Sequence, residues 1–225
     1  MKTYLLLWKI DRRSIPAAFI HMAFDRFSLQ SDTRVGFFKS LGIGAGSTFT
    51  PSDADLKMWA LLVTFDEEIE ELNSLKSVRY WRALAKSEEI YQLGTISSHG
   101  LWAKKSPFLT PESEAVREWK GEIATITRAR IKWHENLRFW RAVQEVTASL
   151  HRSPGVIRAI GIGEAPIGLQ GTFSHWRSQE DLRAFAYKGE AHVKAIKATS
   201  TYNWYAEELF ARFAVERHEV RSLRD

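Results

Sequence analysis

Hydrophobic and polar residues form short segments along this chain, and the spacing of the apolar residues changes between segments in a regular order. Thr3–Ile10 has the apolar composition of a buried strand, whereas Ser14–Leu29 has apolar residues at helical spacing. Two more strand-like segments, Phe37–Gly46 and Leu56–Phe65, are followed by helical segments through about Tyr91. The first half therefore predicts the order strand, helix, strand, strand, helix.

The same order returns in the second half. The predicted elements are a strand at Ile123–Ile131, a helix at Asn136–Leu150, strands at Val156–Gly163 and Leu169–Trp176, and helical segments at Gln179–Tyr187 and Glu190–Thr199. The last block, NWYAEELFARFAVERHEV, combines a helical turn with a closing strand. Two copies of one element order indicate an internal repeat.

A local match supports the repeat. SLGIGAG in the first half is similar to AIGIGEA in the second, and each is followed by a strand that carries a tryptophan, Trp59 or Trp176. The sequence thus predicts an α+β fold in which two ferredoxin-like repeats form a dimeric α/β-barrel-type sandwich within one chain. We expect a single unit of two pseudo-repeats, approximately residues 1–110 and 120–225, with Ser106–Glu122 as the joint between them.

Composition excludes several classes of chemistry. The sequence has no cysteine, so disulfides, thiolate metal sites, iron–sulfur clusters and cysteine nucleophiles are ruled out. The net charge is +5, but the basic residues are scattered among 27 acids, which favours a solvated surface over a nucleic-acid interface. Apolar runs such as Met58–Val63 are far shorter than the roughly 20 residues that span a bilayer. We expect a cytoplasmic protein without a nucleic-acid partner, and peripheral contact with a membrane surface stays open.

Three kinds of short motif suggest chemistry that their sequence context excludes. GIGAG and GIGEAP look like dinucleotide-binding loops, but their glycine spacing differs from the Rossmann fingerprint and a strand follows instead of a helix. Ser174 and His175 are adjacent on a predicted strand, so they point to opposite faces and cannot act as nucleophile and base. His134–Glu135 and His218–Glu219 lack the second histidine of a zinc-protease motif.

One histidine, His192, lies among small residues in the segment GEAHVKAIKATS. On a helix, Ala195 and Ile196 share its face while Lys194 lies on another, so the imidazole is expected to point inward. Two interpretations follow from this placement. The imidazole can be a structural group bonded to a backbone carbonyl, or it can ligate haem iron, with Lys188 or Lys194 near the propionates.

Several blocks along nearly the whole chain resemble the spheroidene monooxygenase family of carotenoid-oxidising haem proteins. The blocks are FFKSLGIGAGSTFTPSDADLKMWALLVTFD, GLWAKKSPF, ATITRARI, FWRAV, GIGEAPIGLQGTFSHW, FAYKGEAHVKAIKA and WYAEELFARFAV. GEAHVKAIKA also resembles, more distantly, the block with the proximal histidine of haem aldoxime dehydratases. The ending ERHEVRSLRD and the AKKS segment after Trp102 depart from the family pattern, which leaves the particular substrate open.

The resemblance implies a haem-dependent monooxygenase that oxidises a carotenoid or another apolar small molecule with dioxygen. It implies haem b with His192 as the iron ligand, and an external electron donor such as ferredoxin and its reductase, since the sequence has no flavin or nicotinamide motif. A homo-oligomer is compatible with it. Two other readings stay open: a haem-dependent dehydratase acting on an N–O bond such as that of an aldoxime, and a non-catalytic haem or lipid carrier.

If haem is bound, two predicted strands supply further candidates for its pocket. Alternation places Gln170, Ser174 and Trp176 on one face, where the first two are candidate distal groups unless that face is half exposed. Arg128 and Arg130 share a face of the strand ATITRARI, where one can bind a propionate or oxygen; surface arginines are the alternative. The catalytic candidates are Gln170, Ser174 and Arg128, and the cofactor-binding candidates are His192, Lys188, Arg130, Trp176, Phe173, Ala195 and Ile196.

Overall fold

The computed structural model describes residues 1–45, 53–65, 72–108, 113–135, 139, 146–164, 169–188 and 204–224. The first half contains β1 (Lys2–Ile10), α1 (Ile15–Gln30), β2 (Val35–Gly44), β3 (Ala54–Phe65), α2 (Lys76–Leu84) and β4 (Ala85–Gly100). After a short helix α3 (Glu114–Arg117), the second half contains β5 (Ile123–Ile131), α4 (described at 146–152), β6 (Val156–Gly163), β7 (Leu169–Trp176), α5 (Gln179–Lys188) and β8 (Tyr205–Ser222).

The two halves have the same strand order. The first half is ordered β4-β1-β3-β2 and the second β8-β5-β7-β6, with every neighbouring pair antiparallel. This is the ferredoxin-like arrangement, so the predicted fold class is confirmed. The halves join edge to edge through β2–β6 and β4–β8, which closes the eight strands into one barrel.

The apolar run at the start of the chain is explained by burial on both faces of β1. Leu5 and Leu7 belong to the core inside the barrel, whereas Leu6 and Trp8 belong to a second core outside it. Helices α1 and α2 cover that outer core, and a strand buried on both sides has no polar face to expose. Helices therefore lie outside the barrel, and two layers of side chains lie on opposite sides of each sheet.

The glycine motifs are part of the barrel closure. Gly42, Ile43 and Gly44 of β2 pair with Gly163, Ile162 and Gly161 of β6, respectively. The two isoleucines point into the barrel core. The segments that looked like nucleotide loops are thus neighbouring strands at the seam between the halves.

Two elements differ from the sequence prediction. The helical segments predicted through about Tyr91 are present up to Leu84, where α2 ends, but the prediction is wrong from Ala85 onward, where β4 begins. The predicted helical turn before the closing strand is also wrong from Tyr205 onward, because β8 is extended to Ser222. Strand β8 is rich in Glu and Ala and β4 carries Glu88 and Glu89, which favour helices locally, but long-range pairing between β4 and β8 overrides that preference.

Among the described helices, none is both long and apolar enough to cross a membrane. The predicted helix at Asn136–Leu150 is described only at residue 139 and from residue 146, where the chain is helical. The predicted helical segment Glu190–Thr199 lies outside the described residues.

Candidate functional site

The outer face of the second-half sheet carries mostly small side chains. Phe173 of β7 belongs to the core inside the barrel and Trp176 to the cluster under α4 and α5, so alternate residues of β7 face outward. The register places β7 between β5 and β6. Nine outward residues form a surface that we call the platform: Thr125, Thr127 and Ala129 of β5, Gln170, Thr172 and Ser174 of β7, and Ala159, Gly161 and Gly163 of β6.

The equivalent face of the first half is filled by large side chains. Trp8 of β1 and Trp59 of β3 are cross-strand neighbours, and both pack on Trp81 of α2 with ring centroids 5.4 and 5.7 Å apart. The platform has no such rings on its central rows. With strand and residue spacings of about 4.8 and 3.4 Å, it covers about 10 by 14 Å. The platform therefore lacks the large rings that fill the equivalent face of the first half.

Ser174 lies at one end of the platform in a defined hydrogen-bond network. The indole Nε1 of Trp176 donates to Ser174 Oγ at 2.8 Å, and the hydroxyls of Ser174 and Thr125 are also 2.8 Å apart. When Thr125 donates in that pair, the Ser174 hydroxyl can direct its own proton elsewhere. The side chain is buried, so the sequence-based candidate Ser174 is held in place on a sheltered face.

The described helices cover the Trp176 end of this face. Leu150 of α4 and Leu182 of α5 share a cluster with Trp176, and the ring of Phe185 lies 5.3 Å from that indole. At the opposite end, a cavity of about 190 Å³ is bordered by Thr127 and Ala129 of the platform and by residues of β4 and β8. The platform thus lies between a helical cover and an open end.

The central sequence prediction falls beyond this described surface. His192, Ala195 and Ile196 lie outside the described residues, and for Lys188 only its position as the last residue of α5 is described. Helix α5 packs on the outer face of the sheet, on the same side as the platform. Within the described part of the chain, no group of three or more histidines and acids could hold a metal ion.

The structure does not bring all predicted site residues together. Gln170, Ser174 and Trp176 face outward, whereas Phe173 and Arg128 face the barrel interior. The sheet therefore separates the predicted residues into two groups. Arg130 is exposed near the end of β5 and belongs to neither group.

Arg128 lies in a charged cluster at one end of the barrel. Its guanidinium forms ion pairs with Glu207 and with Glu164, the latter at 3.0 Å, and lies 5.6 Å from the Trp102 ring centroid. Burial alone would raise the pKa of Glu207, but the backbone N–H groups of Lys104 and Ala103 and the guanidinium of Arg128 together hold it below its ordinary value. This cluster binds the strand ends to one another, which is a structural use of Arg128.

A second polar cluster lies inside the barrel around the buried ring of Tyr91. The imidazole of His175 is 3.0 Å from Glu122, and that of His218 is 2.9 Å from Glu89. Tyr91 donates to Glu89 at 2.7 Å, and burial together with that carboxylate raises the pKa of the phenol. Burial is also the main reason that the pKa of His175 lies below its ordinary value. His175 faces away from the platform, so it is not placed to serve a group bound there.

Sequence reasoning missed most of the platform. Ala159, Gly161 and Gly163 of β6 carry no reactive groups, and their importance is that they leave space. The signal for them was available in the alternation of AIGIG, where small residues occupy every second position. Strand register was needed to place them beside Ser174 and Thr172.

Comparison with known proteins identifies relatives of the whole chain. No protein-family model matches the sequence. The chain is 34% identical over 213 residues to the spheroidene monooxygenase of Rhodobacter capsulatus, covering 93% of this chain and 88% of that protein. It is 36% identical over 185 residues to the spheroidene monooxygenase of Cereibacter sphaeroides, covering 80% of this chain and 55% of that protein. For the protein of the same name from Rubrivivax gelatinosus, the identity is 32% over 180 residues, with 79% and 67% covered.

Solved structures with the same architecture include two aldoxime dehydratases. One, in complex with butyraldoxime, has a TM-score of 0.60 and 10% identity, covering 95% of this chain and 79% of that chain. The other has a TM-score of 0.59 and 10% identity, with 99% and 84% covered. At these identities the likeness concerns the fold alone.

Proposed function

This chain belongs to the spheroidene monooxygenase family, and from that premise we propose that it is a haem-dependent monooxygenase acting on a carotenoid or a similarly apolar molecule. In such a reaction one oxygen atom of dioxygen enters a C–H bond and the other leaves as water. The balance requires an electron pair and two protons, and the electrons come from an external donor such as ferredoxin and its reductase. Family membership supports the monooxygenase class.

The observation that carries the cofactor proposal is the difference between the two halves. The first-half face is filled by the tryptophan stack of Trp8, Trp59 and Trp81. The platform at the equivalent position of the second half has only small side chains and Gln170. A flat macrocycle needs a surface free of bulky side chains, and hydroxyl and amide groups on it can make polar contacts with a bound group. The described residues therefore fit a haem on the platform side.

The proposed roles follow from this placement. His192 would ligate the iron, as the sequence resemblance implies, and Lys188, a cation near it in the sequence, would pair with a propionate. When bound, haem b supplies an iron centre that activates dioxygen. Ser174 contributes a hydroxyl whose position is fixed by Trp176 and Thr125, and it can pass a proton at its Oγ toward the platform. Gln170 lies on the same face, two positions along the strand from Thr172.

The test is a haem titration of the purified protein and of His192→Ala. We expect the protein to bind haemin with a Soret band, and the variant to lose that band or shift it sharply. His134→Ala is the control, because His134 is exposed in the short turn after β5 and should leave the spectrum unchanged. Failure of the protein to bind haemin, or an unchanged spectrum in His192→Ala, would contradict the proposal.

A second measurement separates the reaction classes. With ferredoxin, reductase, NADPH and a carotenoid, a monooxygenase consumes oxygen and NADPH together with the substrate. A dehydratase would instead act on an aldoxime with the ferrous protein and no net electron input. A haem or lipid carrier would turn over neither substrate.

A further inference from the structure

The outward face of α1 is apolar and uncovered. Phe19, Ile20, Phe24 and Phe27 are 51%, 61%, 61% and 57% exposed. Ile20, Phe24 and Phe27 follow one another at positions i, i+4 and i+7, so they form a single line along the helix. A protein surface in water usually scatters such side chains, and a contiguous group of them marks a contact site.

This exposure is fixed by packing on the opposite side of the helix. Ala18 and Leu29 are buried in the outer core of the first half. The buried carboxylate of Asp25 accepts hydrogen bonds from Ser40 of β2 at 2.8 Å and from Trp81 of α2 at 2.9 Å. Helix α1 is therefore anchored to the barrel and cannot turn its phenylalanines inward.

Among the described residues, the unpaired charges beside this face are positive, because the exposed Asp11 that precedes the helix is paired with Lys86. Asp25 is the only acid in α1 and it is buried, so Arg26 is the only exposed charged side chain of the helix. Its guanidinium lies 4.8 Å from the Phe27 ring centroid, at the edge of the apolar line. Arg12 and Arg13 are exposed just before the helix begins. In the described parts of the chain, none of these three arginines forms an ion pair with a carboxylate. The acid-rich segment 66–71 lies outside those parts.

Helix α2, which packs beside α1, extends the same pattern. Lys76 and Arg79 are exposed. Tyr80, which lies between the outer faces of the two helices, is 64% exposed. The helix sequence KSVRYWRAL contains no acid. The outer layer of the first half thus combines exposed aromatic side chains with exposed cations. Phenylalanine at the level of lipid headgroups and cations beside anionic phosphates is the pattern of a helix that lies in a membrane interface.

We propose that the outward face of α1 docks this protein on an anionic lipid membrane. Ile20, Phe24 and Phe27 enter the interface, while Arg12, Arg13 and Arg26 contact lipid phosphates. A second copy of the chain fits this face less well. In an isologous contact through α1, the arginines of both copies would enter the interface, and neither α1 offers an exposed carboxylate to neutralise them.

Docking through α1 does not depend on haem, so its test is independent of the proposed activity. It also deepens that proposal, because an apolar substrate dissolved in a bilayer becomes available to a protein held at its surface. The protein can then bind vesicles without binding haem, or bind haem without binding vesicles.

The experiment is co-sedimentation of the full chain with phosphatidylcholine vesicles, with and without phosphatidylglycerol. We expect binding that is stronger on the anionic vesicles and is weakened by salt. The variant Phe24→Ser/Phe27→Ser should reduce the vesicle partition coefficient by roughly tenfold to a hundredfold. Each of Arg12→Gln, Arg13→Gln and Arg26→Gln should reduce binding to anionic vesicles by roughly fivefold.

The control is Ile157→Ser/Val220→Ser, which removes two exposed apolar side chains on β6 and β8 and should bind as the unmodified protein does. Circular dichroism and gel filtration of each variant establish that it is folded. The proposal is overturned if the protein does not bind either vesicle, or if the α1 variant binds as well as the control. It is equally overturned if the protein is a dimer that the α1 variant converts to a monomer.

Discussion

His175 is buried beside Tyr91, and its Nδ1 atom has no hydrogen-bond partner among the described residues. Its other ring nitrogen is 3.0 Å from Glu122, which favours the charged form, but burial outweighs that effect and lowers the pKa of His175. Folded protein thus holds this imidazole neutral under conditions where an exposed histidine takes up a proton. That difference links one side chain to the pH dependence of stability.

The first prediction concerns this linkage. As pH falls below about 6.5, the ordinary value for histidine, the unfolded chain binds a proton at residue 175 that the folded chain resists. Stability should therefore decrease as pH falls through this window, and His175→Gln should remove part of that decrease. Urea unfolding of both proteins at pH values above and below 6.5 measures it.

His134→Gln is the matched control, because His134 is exposed and should leave the pH dependence unaltered. Equal slopes of unfolding free energy against pH in the unmodified protein and in His175→Gln would show that this imidazole titrates alike in both states.

At the scale of elements, the turn between β4 and the chain that follows contains an unfavourable conformation. Trp102 and Lys105 pair across it, and Ala103 and Lys104 have φ angles of 53° and 62°. The left-handed region costs most side chains about 1–2 kcal/mol, which is why Asn-Gly is common in such turns. Here the two backbone N–H groups donate to Glu207 at 3.0 and 2.8 Å, which joins the turn to β8. The AKKS segment that departs from the family pattern forms this turn.

Replacing Lys104 by glycine should therefore stabilise the protein. The relief of the left-handed strain exceeds the added entropy of the unfolded chain, so we expect a gain of about 0.5–1 kcal/mol in the free energy of unfolding. Lys105→Gly, at a neighbouring position that has no positive φ, should instead destabilise. Urea denaturation of both variants measures the change in the free energy of unfolding. A loss of stability in Lys104→Gly would refute the assignment of backbone strain to this position.

The sequence predicted some elements well and others badly for physical reasons. Strands β5, β6 and β7 have the predicted bounds, because apolar residues alternate regularly along them and turn residues bound them. Strand β4 was missed because Glu88 and Glu89 look like surface helix residues. In the fold they are buried against basic partners, among them Arg221 and His218 of β8, which lie 133 and 129 positions away. Local propensity carries no information about such partners.

The candidate site, like the fold, was predictable only in part from the sequence. Alternation along β7 was enough to group Gln170 with Ser174, and the structure places both on the platform. Alternation also placed Phe173 on the opposite face of β7, but it could not tell which face was the barrel interior, so Phe173 and Arg128 stayed candidates for the same pocket as residues across the sheet. The role of His192 as iron ligand stays a prediction from resemblance, since this residue lies outside the described residues.

For the whole molecule, stability and ligand binding are expected to reside in different halves. Trp81→Ala removes the ring on which Trp8 and Trp59 stack and should cost about 3–5 kcal/mol of unfolding free energy while leaving the haem spectrum of the folded protein unchanged. Thr172→Phe fills the centre of the platform beside Gly161, where the cross-strand neighbour has no side chain. It should abolish haem binding and change stability little, because Thr172 is partly exposed.

Haem titration and urea unfolding of these two variants test the division together. Normal haem binding by a folded Thr172→Phe protein would move the cofactor away from the platform. Loss of haem from a folded Trp81→Ala protein would show that the two halves are not independent.

The seam between β2 and β6 has a consequence for the origin of the chain. Gly42-Ile43-Gly44 pairs with Gly161-Ile162-Gly163 so that the register is symmetrical about the two isoleucines. Two identical half-length polypeptides related by a twofold axis would make this same contact. Duplication and fusion of a gene for such a half-length polypeptide would produce this arrangement. Two halves in one chain need not share one sequence, so the first half can carry Trp8 and Trp59 where the second has the small side chains of the platform.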